Sequence, residues 1–318
     1  MADEPLPQVL ETAVQDYFDW ADDYMRAVER RNTITTTLYH YTDMGGLQGI
    51  LTNEEIWFTD YRHLNDPNEL MHGIGIAKSL LQQRSKQHGL RPFLFQSIDD
   101  LLTKKNFWRV FEFFIASFSR NPDDLGQWRA YADDGRGVAI GFAPVLFLAN
   151  EPTNKDPAKN MFAGPVLYKD PLTRDRHAKG IDKATWILET AMKYAHRHLK
   201  QKQIGIPFIG ALARAVIATP IVWNSLTCKH PGYAHESEVR LVILAVKGKM
   251  RGKVLTRLRR GKAVRYVSRK LPLRQKGQIV EIIIGPAAPK TAEARIRTLL
   301  KSLGVEARIR RSKIPYRP

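Results

Sequence analysis

The run Val239–Val246, in which Arg240 is the single polar residue, constrains the fold more than any other segment. Successive side chains of a β-strand point to opposite faces, so residues two apart share a face. Glu236, Glu238 and Arg240 are therefore expected on one face, and the alternate Val, Leu and Ile residues on the other. The sequence predicts a core strand over residues 237–247 whose first end carries two carboxylates.

Short apolar segments alternate with segments of helical period along the rest of the chain. Strands are predicted at Leu38–Tyr41, Glu55–Thr59, Phe107–Phe118, the segment ending at Phe142, Pro165–Tyr168, Ile279–Ile284 and Val305–Arg310. Helices are predicted at residues 8–31, 43–51, 66–88, 173–203, 208–218 and 290–303, with a short helix around Trp128. The pattern predicts an α+β fold with a mixed or antiparallel central sheet and flanking helices. Residues 1–35 would form an N-terminal helical extension, and residues 36–318 a single domain that includes a basic segment, 247–276.

Cysteine content and hydropathy limit the class of protein. Cys228 is the only cysteine, which excludes an internal disulfide and any multi-cysteine metal site. No apolar run approaches the 18 or more residues that a membrane span needs. The first residues lack the basic region of a signal peptide. We expect a cytoplasmic protein without a membrane span, although a toxin or defence effector exported without a cleaved signal would have the same features.

The positive charge is concentrated at the C-terminal end. Residues 229–318 contain 24 Lys and Arg against 5 Asp and Glu, a net +19, whereas the whole chain has +18. The segment 247–276 has 13 basic residues and no acidic one. Nucleic acid or an acidic partner is the expected counterpart of such a block, with membrane phosphates and a merely solvated basic hairpin as alternatives. The predicted polyanion-binding residues are Lys247, Lys249, Arg251, Lys253, Arg257, Arg259, Arg260 and Lys262. Because Tyr266 is the only aromatic residue of the block, phosphate contact is favoured over base stacking.

Several familiar catalytic motifs are missing, among them a Walker loop, a dinucleotide-binding glycine loop and His-Glu-x-x-His. A scattered set of short motifs is present instead: Leu38–Thr42, Ile56–Asp60 with His63–Pro67, Ser117–Ser119, Gln127–Asp133 with Gly137–Phe142, Glu236–Arg240 and Ser312–Arg317. In this combination the chain resembles the bacterial family of domains of unknown function called DUF2971. The resemblance runs from about residue 37 to the C-terminus and implies no function by itself.

A more distant resemblance suggests a chemistry. Tyr-His-Tyr-Thr in a first strand, a later Ser-x-Ser and a late Glu-x-Glu are similar to the signature parts of ADP-ribosyltransferases, which cleave NAD and transfer ADP-ribose. The resemblance implies a split sheet, with Glu238 as catalytic carboxylate and Glu236 orienting or activating the acceptor. It further implies that His40 holds NAD, and that Ser117 and Ser119 support the ribose. Further candidates for NAD contact are Thr42, Tyr61, Trp128, Tyr131 and Arg240, with Trp57 also a possible stacking aromatic.

This chemistry is physically reasonable, because an ionised carboxylate in a water-poor site can stabilise positive charge that builds on the ribose. A second carboxylate can serve as general base toward an acceptor, and Arg240 could keep Glu238 ionised or pair with the NAD phosphates. NAD would be the substrate and no metal is expected. The acceptor would be nucleic acid or a nucleic-acid-associated protein.

Less specific interpretations account for the same residues. Glu236 and Glu238 could be surface groups paired with Arg240, His40 a hydrogen-bonded core histidine, and Trp128 with Tyr131 core aromatics at helical spacing. A second hypothesis is therefore a non-enzymatic nucleic-acid-binding module on a transferase-like scaffold. A third is a metal-dependent nuclease built on Glu236, Glu238 and Asp133 or Asp134.

Overall fold

A computed structural model of the protein describes residues 34–64, 69–85, 111–147, 161–198, 220–246, 252–259 and 261–316, with isolated positions at 8–23, 96–103, 248 and 250. Of the predicted N-terminal helix, the seven isolated positions described are helical. The predicted helix at 208–218 lies outside the described residues, as do the first three residues of the helix predicted at 66–88. None of the described helices is both long and apolar enough to cross a bilayer.

Contacts divide the chain into two compact units, where the sequence predicted one domain after a helical extension. The first unit combines residues 1–31, 66–110 and 167–232, and the second combines residues 32–65, 111–166 and 233–318. Periodicity along the chain cannot place such a division, because each unit is assembled from three segments that are distant in sequence.

The second unit contains a ten-stranded mixed sheet, which confirms the predicted fold class. Its strands are β1 (Leu38–Thr42), β2 (Glu55–Asp60), β3 (Phe111–Ser119), β4 (Val138–Phe142), β5 (Met161–Pro165), β6 (Glu238–Val246), β7 (Leu255–Arg259), β8 (Lys262–Lys270), β9 (Ile279–Ile284) and β10 (Arg308–Arg311). The main path is β10-β9-β4-β1-β3-β2-β8-β7. The β9–β10 pair is parallel and the other pairs are antiparallel.

The sheet forks at β3. One edge of β3 pairs with β6 along its whole length, and β5 pairs with the far edge of β6. The other edge of β3 is shared, because β1 pairs with it at Ser119 and β2 pairs with it at Ile115 and Phe114. Ser117 therefore lies between the two arms of the sheet.

One face of the sheet is closed by two helices, α1 (Met44–Asn53) and α5 (Ala292–Leu303). Asp43 caps α1 by accepting a hydrogen bond from the Gly46 amide at 2.6 Å, and α1 confirms the helix predicted at 43–51. The main core on this face contains Leu47 and Leu51 of α1, Ile296 and Leu300 of α5, and alternate residues of the strands, including Phe114, Phe118, Val239, Leu241 and Ile243. The predicted apolar face of β6 is thus confirmed.

The opposite face is covered near β1 by α3 (Leu125–Tyr131) and the segment that follows β10. Asp123 joins these two elements: its carboxylate accepts hydrogen bonds from Trp128 Nε1 at 2.7 Å, Ser312 Oγ at 2.6 Å and the Lys313 amide at 2.9 Å. Tyr316 then donates to Asp134 at 2.7 Å. These contacts hold the C-terminal segment against the sheet.

The described part of the first unit is mainly helical. It contains α2 (Glu69–Ser85), α4 (Asp170–His198) and a helical stretch at residues 220–226. Gly73 lets α2 approach the last of these closely, since a Cβ atom there would lie 2.6 Å from both Cys228 Sγ and the Ser225 backbone. Cys228 is accordingly buried, and its thiol donates to the Ser225 carbonyl at 3.4 Å.

Candidate functional site

Glu238 and Arg240 form a buried ion pair on one face of β6. Arg240 donates from Nε to Glu238 Oε1 at 2.9 Å and from Nη2 to Oε2 at 3.0 Å. The side chains are 7% and 1% exposed, respectively. The two parallel bonds match guanidinium to carboxylate geometry and fix both groups. The predicted shared face of Glu238 and Arg240 is therefore present, and their pairing holds the carboxylate in place.

The prediction that Glu236 shares this strand face is wrong. Glu236 ends a 3-10 helix, Pro231–Glu236, and β6 begins only at Glu238. Between them Ser237 has a φ of 45°, a left-handed conformation that turns the chain before the strand starts. Glu236 is buried, but the two-residue spacing no longer places it beside Glu238.

Ser119 fixes this turn. Its hydroxyl donates to the Glu236 carbonyl at 2.7 Å and accepts from the Asn121 amide at 3.0 Å. Asn121 Nδ2 adds a bond to the His235 carbonyl at 2.9 Å. The Ser119 hydroxyl thus links the backbone after β3 to the backbone before β6 and positions this turn.

His40 fills the fork between the two arms of the sheet. Its Nδ1 lies 3.0 Å from the Ser117 carbonyl oxygen, and its ring centroid lies 5.5 Å from that of Phe118. Because a carbonyl oxygen can only accept, Nδ1 carries the proton and donates. Burial lowers the pKa of His40 and the positive charge of Arg257 lowers it further, against the opposing effect of the Ser117 bond. His40 is therefore a neutral histidine within the sheet.

His40 and Glu238 project from opposite faces of the sheet. Ser119 pairs with both Glu238 and Tyr39, so the side chains of these three residues share one face. His40 follows Tyr39 and projects to the other side, where it meets Phe118 of the main core. The strands thus do not bring together the two residues that the transferase resemblance pairs.

Most of the predicted NAD-contacting aromatics are core residues. Tyr61 and Trp128 are both 0% exposed. Trp128 bonds Asp123 and packs edge-on against Tyr41, with centroids 4.8 Å apart, and Tyr131 packs against the same cluster. Thr42 packs against Gly46 and Gly137, where added Cβ atoms would clash with it. These positions are explained by packing.

Half of the predicted polyanion-binding residues lie in described segments. Lys253 is exposed in the turn before β7, Arg257 and Arg259 lie in β7, and Lys262 is exposed at the start of β8. Lys247, Lys249, Arg251 and Arg260 lie outside the described residues. The basic segment is thus built around a β7–β8 hairpin whose turn includes Gly261, with a φ of 74°.

The cations on the two faces of this hairpin differ in their contacts with carboxylates. On the face of the main core, Arg265 is held by Asp60 at 3.2 Å and Glu112 at 2.8 Å. The other face presents Arg257 and Lys262, together with Lys270, which pairs with Glu55 at 3.2 Å. Arg265 on the inner face thus contacts two carboxylates, while the outer face carries three cations, Arg257, Lys262 and Lys270.

An aromatic pair, Trp57 and Tyr266, lies on the outer face. The ring centroids are 4.6 Å apart with planes inclined by 35°. The Arg257 guanidinium lies 4.9 Å from the Trp57 centroid and 5.7 Å from that of Tyr266, and donates to Thr59 Oγ1 at 3.2 Å. Counting aromatic residues within the basic block found only Tyr266 and did not reveal this pair, because β2 supplies Trp57 from about 200 residues away. The sequence of β2 did contain a signal: Trp57 and Thr59 alternate with the apolar Phe58, which indicates that Trp57 faces away from the core.

No metal-binding cluster is found among the described residues. No three His, Cys, Asp or Glu side chains there are grouped so that they could hold an ion. Asp133 and Asp134 occupy a turn beside α3 with φ values of 48° and 50°, and Tyr316 engages Asp134. The described geometry therefore gives no support to the carboxylate set of the nuclease hypothesis.

Comparison with known proteins gives one match. Residues 127–241 match the model of a family described as "Protein of unknown function (DUF2971)", which confirms that resemblance over about a third of the chain. No curated protein and no solved structure matches the chain. The matched segment runs from α3 to the first half of β6 and includes Glu238 and Arg240. It excludes His40 and the basic hairpin.

Proposed function

We propose that this protein binds nucleic acid through the outer face of the β2–β8–β7 arm. The observation that carries this proposal is the joint display of Arg257, Lys262 and exposed aromatic surface on one sheet face. Residues 252–270 contain eight Lys and Arg and no Asp or Glu, so the hairpin cannot neutralise its own charge. Phosphates at regular spacing are the ligand that such a surface attracts.

Nucleic acid fits this face better than a lipid headgroup or an acidic protein does. Cations beside an aromatic pair are the combination that single-strand binders use, because phosphates and bases alternate along the ligand. Membrane surfaces instead select an amphipathic helix with a continuous apolar face. The outer face presents Trp57 and Tyr266 on neighbouring strands, flanked by Arg257.

The test measures binding of labelled DNA and RNA oligonucleotides by fluorescence anisotropy at several salt concentrations. Each phosphate contact that is lost should lower the salt slope by about one. The double variant K253Q and K262Q should therefore bind more weakly and with a slope smaller by about two. The double variant K290Q and K301Q removes the same charge at exposed positions outside the hairpin and should bind as the wild type does. Absence of binding at low salt, or equal losses in both double variants, contradicts the proposal.

NAD-dependent ADP-ribosyl transfer remains a prediction from resemblance and is less well supported, since His40 and Glu238 project from opposite faces. Incubation with labelled NAD should release nicotinamide if the protein has this activity, and Glu238→Gln should stop the release. Release that continues in this variant, once its fold has been verified by circular dichroism, excludes Glu238 as the catalytic carboxylate. Addition of Mg²⁺ to the same oligonucleotides tests the nuclease hypothesis in parallel.

A further inference from the structure

Trp57 is exposed where its neighbours in the chain are not. It retains 38% of its accessible surface, whereas Ile56 and Phe58 are 3% and 0% exposed and belong to the main core. Trp57 pairs across the sheet with Ser268, so no apolar side chain lies directly opposite it. A large ring is thus held at the surface by Tyr266 and Arg257 rather than by burial in the core.

The ring is also held in a fixed orientation. Tyr266 supports it from the neighbouring strand, the Arg257 guanidinium lies over it, and Trp57 Nε1 donates to Glu55 Oε2 at 3.3 Å. Glu55 is fixed in turn by Lys270. A rigid aromatic surface loses little conformational freedom when a planar ligand stacks on it, which favours binding.

We propose that Trp57, Tyr266 and Arg257 form a stacking site for an unpaired base of single-stranded nucleic acid. The site rests on the proposed function, and it specifies that single strands are the preferred form of the ligand. Bases of a duplex are stacked on one another and cannot lie against a side-chain ring, whereas an unpaired base can. The phosphates beside the stacked base would then meet Arg257 and Lys262 on the same face.

The experiment compares Trp57→Ala with the wild type, using a single-stranded oligonucleotide and the duplex of the same sequence. Loss of one stacked base should lower the affinity for the single strand by roughly tenfold or more and leave duplex affinity within about twofold. Trp57→Leu keeps an apolar side chain without a ring and should show the same selective loss if Trp57→Ala folds poorly.

Trp186 supplies a matched control. It is another exposed tryptophan, 57% accessible, with Lys183 Nζ 4.4 Å from its ring centroid, and it lies in the other unit. Trp186→Ala should leave both affinities unchanged. If Trp57→Ala and Trp57→Leu weaken both ligands equally or neither, the stacking site is wrong while the proposed function stands. If the wild type binds neither ligand at low salt, the proposed function fails as well.

Discussion

The Arg240 side chain is 1% exposed. Its guanidinium pairs with the carboxylate of Glu238, two residues away on the same strand face. Taking both groups out of water is costly, so the pair stabilises the fold only while both partners are present. Its two parallel hydrogen bonds orient Arg240 toward the start of β6. The Glu238–Arg240 pair therefore fixes the orientation of the two side chains more than it adds net stability to the fold.

Glu238→Gln should therefore lower the free energy of unfolding by about 3–5 kcal/mol, because Arg240 stays buried without this carboxylate. Urea denaturation measures the loss. Glu55→Gln is the control, since Glu55 pairs with an exposed lysine, Lys270, and its replacement should cost less than about 1 kcal/mol. Similar losses of unfolding free energy in the two variants would show that the buried pair contributes no more to stability than the exposed pair does.

His177 provides a pH-dependent contribution within the helical unit. Burial lowers its pKa to about 4, and the positive charge of Arg176 acts in the same direction, against the opposing effect of the nearby Gly73 backbone. Between this value and the pKa near 6.5 of the unfolded chain, the unfolded state binds more protons than the folded state. The contribution of neutral His177 to the free energy of unfolding is fully present above pH 6.5 and falls as the pH is lowered toward 4.

We expect the stability difference between wild type and His177→Gln to change by about 3 kcal/mol across that window, because each unit of pKa shift corresponds to about 1.4 kcal/mol. Urea titrations between pH 4.5 and 7 follow this difference. The wild type should lose stability on acidification more steeply than the variant. Parallel profiles of the two proteins would rule out His177 as the titrating group.

At the scale of secondary-structure elements, Asp123 connects the start of α3 to the segment after β10. Three donors converge on its carboxylate, from Trp128, Ser312 and the Lys313 backbone. Asp123→Ala leaves these donors without their acceptor, and each buried donor that loses its partner costs about 1–3 kcal/mol. The C-terminal segment should then open more often than in the wild type.

Limited trypsin digestion detects such opening, since Lys313 lies in the tethered segment. Cleavage after Lys313 should be faster in Asp123→Ala than in the wild type. Asp133→Asn changes a carboxylate that is 60% exposed and should keep the wild-type rate. Equal cleavage rates in all three proteins would show that the tether does not depend on Asp123.

Elements were more predictable than the contacts between them. The alternation of β6 correctly predicted that Val239 faces the core, because burial of one face imposes a period of two. The prediction that Glu236 shares the strand face was wrong because Ser237 adopts a left-handed conformation. Glycine or asparagine at this position would have indicated such a conformation, but serine does not. The aromatic pair on the outer face of the hairpin was not predicted, because it joins β2 to β8 across about 200 residues, although the alternation within β2 indicated that Trp57 faces away from the core.

At the scale of the whole molecule, the net charge of +18 acts against compactness, since the last 90 residues alone carry a net +19. Adding salt shortens the Debye length to about 8 Å at 0.15 M and screens this repulsion. The midpoint of thermal unfolding should therefore rise between low salt and about 0.15 M, as measured by differential scanning fluorimetry. K253Q with K262Q should show a smaller rise, and a midpoint that falls with salt would contradict this expectation.

The fork at β3 also sets the order in which the protein can be made. The longest ladder of β3 is with β6, and the ribosome completes β6 only at Val246, long after Ser119. At a synthesis rate of about 5–20 residues per second, the edge of an apolar strand stays unpaired for on the order of ten seconds. An open strand edge invites pairing with another chain, so nascent chains of this protein are most exposed to aggregation while the segment between these two strands is being translated.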